Sequence, residues 1–262
     1  MDLWNTGNHS IRGGQSFMKR KWILWIGIPV VVLLAVVVGV FIRVQGEISQ
    51  MTPVETMKVT DGIYAVLDDM VNLYLVEGDT GFVAIDAGTR PENVKRELEK
   101  IHVSPEAVHT VFLTHSDWDH TGGVSLFTKG TVWLSTLEEP LIDGRTRRMW
   151  FAKNQLNCDY RLFRPDQRFE VDGLKIQCIS APGHTPGSTW FLVNDRYLFV
   201  GDGMCLKDGQ IGVFSETFNM DSEMQAASFE KLTDFPNLQY LLTGHFGVTD
   251  YMQSVMESIP SD

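Results

Sequence analysis

The chain of 262 residues has only three cysteines, Cys158, Cys178 and Cys205. An odd number this small excludes a disulfide framework, since at most one bridge forms within the chain. Cys178 falls in a strand-like run and reads as a buried small apolar residue; Cys205 lies three residues beyond Asp202 and is also assigned to packing. Positive charge is scarce as well, 22 Lys and Arg against 33 Asp and Glu, a formal net charge of −11. That balance argues against nucleic acid as a partner of the folded domain. No short-period repeat is present, which excludes a solenoid.

One segment lacks charge altogether. Residues 22–42 form an unbroken apolar run, Trp22 to Ile42, interrupted only by glycine and by Pro29. At about 1.5 Å per helical residue it spans roughly 30 Å, the hydrocarbon thickness of a bilayer. Arg12, Lys19, Arg20 and Lys21 precede it and only Arg43 follows closely, so the positive-inside rule places the N-terminus in the cytoplasm and the remainder outside. No small-x-small cleavage pattern or lipid-accepting cysteine follows Ile42, and the run reads as an uncleaved signal anchor in the cell membrane. Met18 is an alternative start to Met1. The expected organisation is a basic cytoplasmic tail (1–21), a single-pass transmembrane helix (22–42), a linker (43–56) and a soluble domain (57–262).

What the soluble part has in quantity is histidine and aspartate at the ends of short apolar runs. The run 108–113 leads into Thr114-His115-Ser116-Asp117-Trp118-Asp119-His120-Thr121-Gly122-Gly123. Two imidazoles and two carboxylates at a strand exit form a donor set for a divalent cation. Three further runs end the same way: 174–180 before Pro182-Gly183-His184, 197–200 before Gly201-Asp202, and 240–242 before Thr243-Gly244-His245. Adjacent glycines allow the tight backbone geometry such turns need.

This ordered set resembles the metallo-β-lactamase-fold metallohydrolases, whose hallmark is His-x-His-x-Asp-His followed by a distant His, an Asp and a final His. The resemblance covers roughly residues 57–250. It implies that His115 and His184 hold a first metal, that Asp119, His120 and His245 hold a second, and that Asp202 bridges them. Asp86, ending the run 83–85, matches an early aspartate that supports the site from behind. Asp119 and His120 are then the catalytic pair. The implied reaction is hydrolysis of an ester-like bond in a small-molecule substrate (thioester, lactone or phosphoester) by a metal-bound hydroxide, with two zinc ions as the expected cofactors.

Asp117 departs from this pattern, standing where the family has its second histidine. As a further ligand it makes the first site more anionic and oxygen-rich, which opens it to iron or manganese. The alternatives it leaves are an iron-dependent redox enzyme on the same fold and a non-catalytic metal-binding sensor. No segment has the length of a flavin module, which counts against redox chemistry.

Between the two halves, residues 143–166 carry Arg145, Arg147, Arg148, Lys153, Arg161 and Arg164 against three aspartates, interleaved with Trp150, Phe151 and Tyr160. This stretch is expected to present cations and aromatics to an anionic substrate or an anionic membrane surface. Strand-like runs grouped in two clusters, with helical patterns at 91–101, 222–232 and 251–258, predict an α+β, four-layer αββα sandwich.

Overall fold

The computed structural model describes residues 14–148 and 153–259, with side chains described from residue 28 onward. Arg12, Trp150 and Phe151, and the side chains of Lys19, Arg20 and Lys21, lie outside the described residues. The chain divides into two units, 1–49 and 50–262.

The first unit carries helix α1, Gly14–Ile48, with Pro29 inside it. It runs on past Ile42, where the uncharged stretch ends. Within it Ile28–Ile48 has a mean hydropathy of 2.5 and none of its apolar window is buried. Twenty-one helical residues are long enough, and apolar enough, to cross a bilayer.

In the second unit, β1 (Met57–Thr60), β2 (Ile63–Asp68), β3 (Val71–Glu77) and β4 (Phe82–Ile85) form an antiparallel meander. Helix α2 (Pro91–Lys100) then crosses back to β5 (Val108–Phe112), which pairs parallel with β4. Pro91 starts α2, where its missing N–H costs nothing, and Val94 and Leu98 share its buried face. A short helix α3 (Trp118–Thr121), strand β6 (Thr131–Ser135), helix α4 (Glu139–Asp143) and strand β7 (Tyr160–Phe163) complete this half, giving one seven-stranded sheet in sequence order.

The second sheet begins with β8 (Arg168–Val171), β9 (Leu174–Ser180), β10 (Thr189–Val193) and β11 (Tyr197–Gly201). A small ribbon, β12 (Cys205–Lys207) with β13 (Gln210–Gly212), follows, then helix α5 (Ser222–Ala227). Strands β14 (Tyr240–Thr243) and β15 (Val248–Thr249) and helix α6 (Met252–Glu257) end the chain, and the sheet order is β15-β14-β11-β10-β9-β8. Cys205 packs in the apolar layer beside this sheet, with its Sγ donating to Val213 O at 3.3 Å.

The two sheets face each other across Ile63, Phe112, Phe163, Phe191, Phe199 and Leu242, all at most 1% exposed. Phe112 lies 5.3 Å from Phe191 and 5.0 Å from Phe169, ring centre to ring centre, so tilted and edge-on contacts fill the seam. Outside the first sheet α2 covers Leu73, Leu75, Val111 and Leu113. Outside the second, Phe229, Leu232 and Val255 cover Trp190, Leu192 and Leu198. The architecture is therefore the expected four-layer αββα sandwich. One helix differs from its pattern: after Ala227 the backbone tightens into a 3-10 helix, Ser228–Asp234. With three residues per turn, Phe229 and Leu232 fall on one side, and both are buried.

Candidate metal centre

The polar groups singled out in the sequence meet at one rim of the sandwich. His115 follows β5, and α3, which starts three residues after it, carries Asp119 and His120. His184 sits in the turn between β9 and β10, Asp202 follows β11, and His245 follows β14. Two groups of donor atoms result, each with its atoms within 4.8 Å of one another: His115, His184 and Asp202, and Asp119, His120 and His245. Either could hold a metal ion. Asp202 serves both, with Oδ1 3.2 Å from His120 Nε2 and 3.4 Å from His245 Nε2, and Oδ2 3.5 Å from His184 Nε2 and 3.9 Å from His115 Nε2.

Gly244 makes room for this convergence. A Cβ there would lie 2.7 Å from Asp202 Oδ1 and 2.9 Å from His120 Cε1, closer than side chains pack. Gly201, at φ +52°, would drive a Cβ into the Thr114 side chain.

Each imidazole is held by its other nitrogen. His120 Nδ1 lies 2.8 Å from Asp86 Oδ2, and Asp86 also accepts from Thr114 N at 2.8 Å and from the Thr114 hydroxyl. Asp86 takes φ +65°, an uncommon conformation for a residue with a side chain, to reach them. His245 Nδ1 is 2.6 Å from Met70 O, which only accepts, so this nitrogen carries the proton and Nε2 faces the cluster. His184 Nδ1 is 3.1 Å from Asn219 Oδ1, and Asn219 Nδ2 donates to Gln225 Oε1 at 2.8 Å, which fixes the amide's orientation.

The inward atoms have no such partners. His115 Nε2, His120 Nε2, His245 Nε2 and Asp202 Oδ1 are buried without a hydrogen bond. Buried polar atoms in this condition are rare, and four of them at one rim fit cation binding at the groups they belong to.

The charge balance agrees. Burial disfavours a proton on His120, but the carboxylates of Asp202, Asp86 and Asp119 outweigh it and raise its pKa well above the usual value. For His245 the same opposition, burial against Asp202 and Asp119, leaves it pushed up to about 10. Asp202 is itself held well below the usual carboxylate range, because the neighbouring histidines overcome its burial. This half of the cluster thus carries more negative charge than its imidazoles offset, and calls for a cation. His115 behaves oppositely: burial, with His120 and His184 nearby, lowers it well below 6.5, so its neutral form prevails.

Asp117 does not fit the role expected of it. Arg148 Nε lies 3.0 Å from both of its oxygens, Arg148 Nη2 lies 2.8 Å from Oδ2, and Asn154 Nδ2 donates to Oδ1 at 2.8 Å. The carboxylate is 3.1 Å from His184 Nε2, so it borders the first group, but its charge is matched by a guanidinium. Burial alone would raise its pKa; His184, His115 and Arg148 hold it well below the usual range. The extra negative charge expected to favour iron or manganese is neutralised within the protein.

Two contributors went unrecognised in the sequence. Arg148 is expected, with its neighbours, to face an anionic substrate or membrane surface; its side chain is instead 9% exposed and reaches the cluster. Glu138 is fully buried and accepts from Ser116 N, Ser116 Oγ, Gly187 N and Thr185 Oγ1, tying the His115 loop to the His184 loop. Nothing in Thr136-Leu137-Glu138-Glu139 marks the third residue as internal. Of the other cations in the stretch, Arg145 pairs with Asp143 and Glu139 at the surface and Arg161 lies over the Trp133 ring.

The family model of the metallo-β-lactamase superfamily matches residues 66–245, which include every donor from Asp86 to His245. The chain belongs to the metallo-β-lactamase superfamily. Among its relatives, a hydroxyacylglutathione hydrolase of Glaesserella parasuis is 31% identical over 157 residues, 60% of this chain and 56% of that protein. The chain thus spans little more than half of that relative. A probable metallo-hydrolase of Methanocaldococcus jannaschii is 26% identical over 168 residues, 63% of this chain and 71% of that protein. A metallo-β-lactamase of Cronobacter sakazakii superposes with a TM-score of 0.59 at 18% identity, covering 76% of this chain and 81% of that one. At that identity the likeness is one of fold, and the αββα sandwich of this superfamily is what the two share.

Proposed function

We propose that this member of the superfamily is a membrane-tethered, metal-dependent hydrolase acting on an ester-like bond of a small molecule: a thioester, lactone or phosphoester. The observation that carries the reading is the convergence of four unpartnered buried donors, three imidazole nitrogens and one carboxylate oxygen. Asp119, His120, His245 and Asp202 are assigned as metal ligands, with His115 and His184 on the far side of Asp202 and Asp86 as the support of His120. A divalent ion at such a site supplies Lewis acidity, polarising the scissile group and acidifying water. The side chains supply position. Asp119, 16% exposed, lines the opening and orients the attacking water, while His120 and His245 are locked by Asp86 and Met70 O. Phe214, 5.1 Å from the His184 ring and 5.5 Å from that of His245, forms an apolar wall that limits water at the centre.

Zinc suits a borderline set of two histidines with carboxylates, and iron or manganese suit it too. The likeness to a hydroxyacylglutathione hydrolase supports trying thioesters first among these substrates. The test is a panel of thioester, lactone, phosphodiester and β-lactam substrates with zinc-, manganese- and iron-loaded protein. Hydrolysis of one ester-like class that disappears on chelation supports the reading; no turnover on any class with any metal overturns it.

The tether is assigned to the apolar helix, within residues 22–42 as read from the sequence, with the N-terminus cytoplasmic and residues 57–262 outside. Its support is the exposed, apolar Ile28–Ile48 stretch. Carbonate-resistant membrane association, with the catalytic unit degraded by protease added outside intact cells, is the expected result. Release by carbonate or protection from protease removes the assignment.

A further inference from the structure

We propose that Arg148 stands in for the first metal ion, so that the centre takes one ion, at Asp119, His120, His245 and Asp202, beside a fixed guanidinium. The proposal rests on the metal-centre reading above and concerns how many ions that centre accepts.

The two halves of the cluster differ in one respect. On the His120 side both histidine Nε2 atoms and Asp202 Oδ1 have no hydrogen-bond partner. On the other side His115 Nε2 is likewise unpartnered, but His184 Nε2 lies 3.0 Å from Arg148 Nη2. His184 Nδ1 faces the acceptor Asn219 Oδ1 and carries the proton, so Nε2 presents its single lone pair. An N–H of the guanidinium takes that lone pair. An imidazole nitrogen so engaged has nothing left to give an ion, and His115 with one oxygen of Asp202 makes too small a set.

Asp117 completes the exchange. Where the superfamily pattern has a histidine able to ligate, this chain has a carboxylate that grips the guanidinium with both oxygens. Asn154 holds the same carboxylate and Ser116 Oγ, each at 2.8 Å, so the grip is itself positioned. Both departures, aspartate for histidine at 117 and a buried arginine at 148, have the same sense. A guanidinium beside the remaining ion offers N–H donors in place of a second Lewis acid. It suits a substrate that places a carboxylate, phosphoryl or developing oxyanion oxygen next to His184.

The experiment counts ions on the full chain. Protein stripped by chelator, then equilibrated with excess zinc and dialysed, is assayed by elemental analysis, and cobalt(II) is titrated while its visible absorption is followed. Wild type is expected to hold one zinc per chain and to saturate with one equivalent of cobalt. Arg148→Ala, and Arg148→Met should alanine impair folding, frees His184; combined with Asp117→His it restores the superfamily donor set. These variants are expected to hold two ions and to saturate at two equivalents. Two ions in the wild type overturn the proposal while leaving the metal-centre reading intact. A count that stays at one in the Arg148→Ala/Asp117→His variant also overturns it, because Arg148 is then not what closes the site. No ion bound to any form overturns both.

Discussion

Asp86 Oδ2 lies 2.8 Å from His120 Nδ1, and the same carboxylate accepts the backbone N–H and the hydroxyl of Thr114. A residue at φ +65° at the end of one strand thereby fixes both the tautomer of His120 and the strand exit that leads to His115. Asn keeps the shape and tolerates the left-handed backbone but brings an N–H into reach of an imidazole that needs an acceptor. Asp86→Asn is expected to weaken metal affinity by about 10- to 100-fold with the fold retained. Competition with a chromogenic chelator measures it, and unchanged affinity would show that Asp86 does not set the orientation of His120.

His245 links metal binding to pH. With no ion bound, burial opposes its charge but Asp202 and Asp119 prevail, and its pKa rises to about 10. A raised folded-state value means stabilisation that is complete below the ordinary value near 6.5 and disappears as pH rises through about 10. The stripped protein should therefore lose stability between about pH 7 and pH 10. The loaded protein, in which the ion replaces the proton, should not. Thermal melts of both forms across this range test the sign, and calorimetry in buffers of different ionisation enthalpy should show proton release on metal uptake at pH 7. Parallel melting profiles of the two forms would remove the linkage.

Glu138 accepts from four donors on two loops. Its removal strands buried N–H groups of Ser116 and Gly187, each costing about 1–3 kcal/mol. Glu138→Ala is expected to lower unfolding free energy by about 3 kcal/mol or more, read as a lower urea midpoint at unchanged slope. A loss below about 1 kcal/mol would mean that water replaces the carboxylate.

Asp119→Ala and His120→Ala remove donors that nothing nearby replaces. Each should reduce hydrolysis by several orders of magnitude, with the circular dichroism spectrum of the fold preserved. Near-wild-type turnover in either would separate these residues from the chemistry.

The sandwich was legible because four strand exits carry an imidazole or carboxylate after an apolar run, three of them directly after a glycine. Strands β9 and β10 matched their patterns to the residue, since their fully apolar faces face the seam. Strand β8, Arg168-Phe169-Glu170-Val171, is half exposed at a sheet edge and mixes charge with apolar residues, so no strand is assigned to it from the sequence. The ribbon β12–β13 is too short to carry a period. At the site, single side chains were legible and pairings across distance were not. Arg148 meets Asp117 from 31 positions away and His184 from 36, and no local pattern encodes which cation of a basic stretch turns inward.

The donors divide evenly between the two halves of the sandwich. His115, Asp119 and His120 arrive from the seven-stranded sheet, and His184, Asp202 and His245 from the six-stranded one, with Tyr74 Oη bridging to Thr243 O at 2.7 Å just beneath. An ion at this rim is thus a rivet through two plates already joined by apolar packing and a few hydrogen bonds, and neither plate alone supplies the whole donor set. Loss of the ion should loosen the rim, where the reacting groups are held, while the packed seam beneath keeps the plates together.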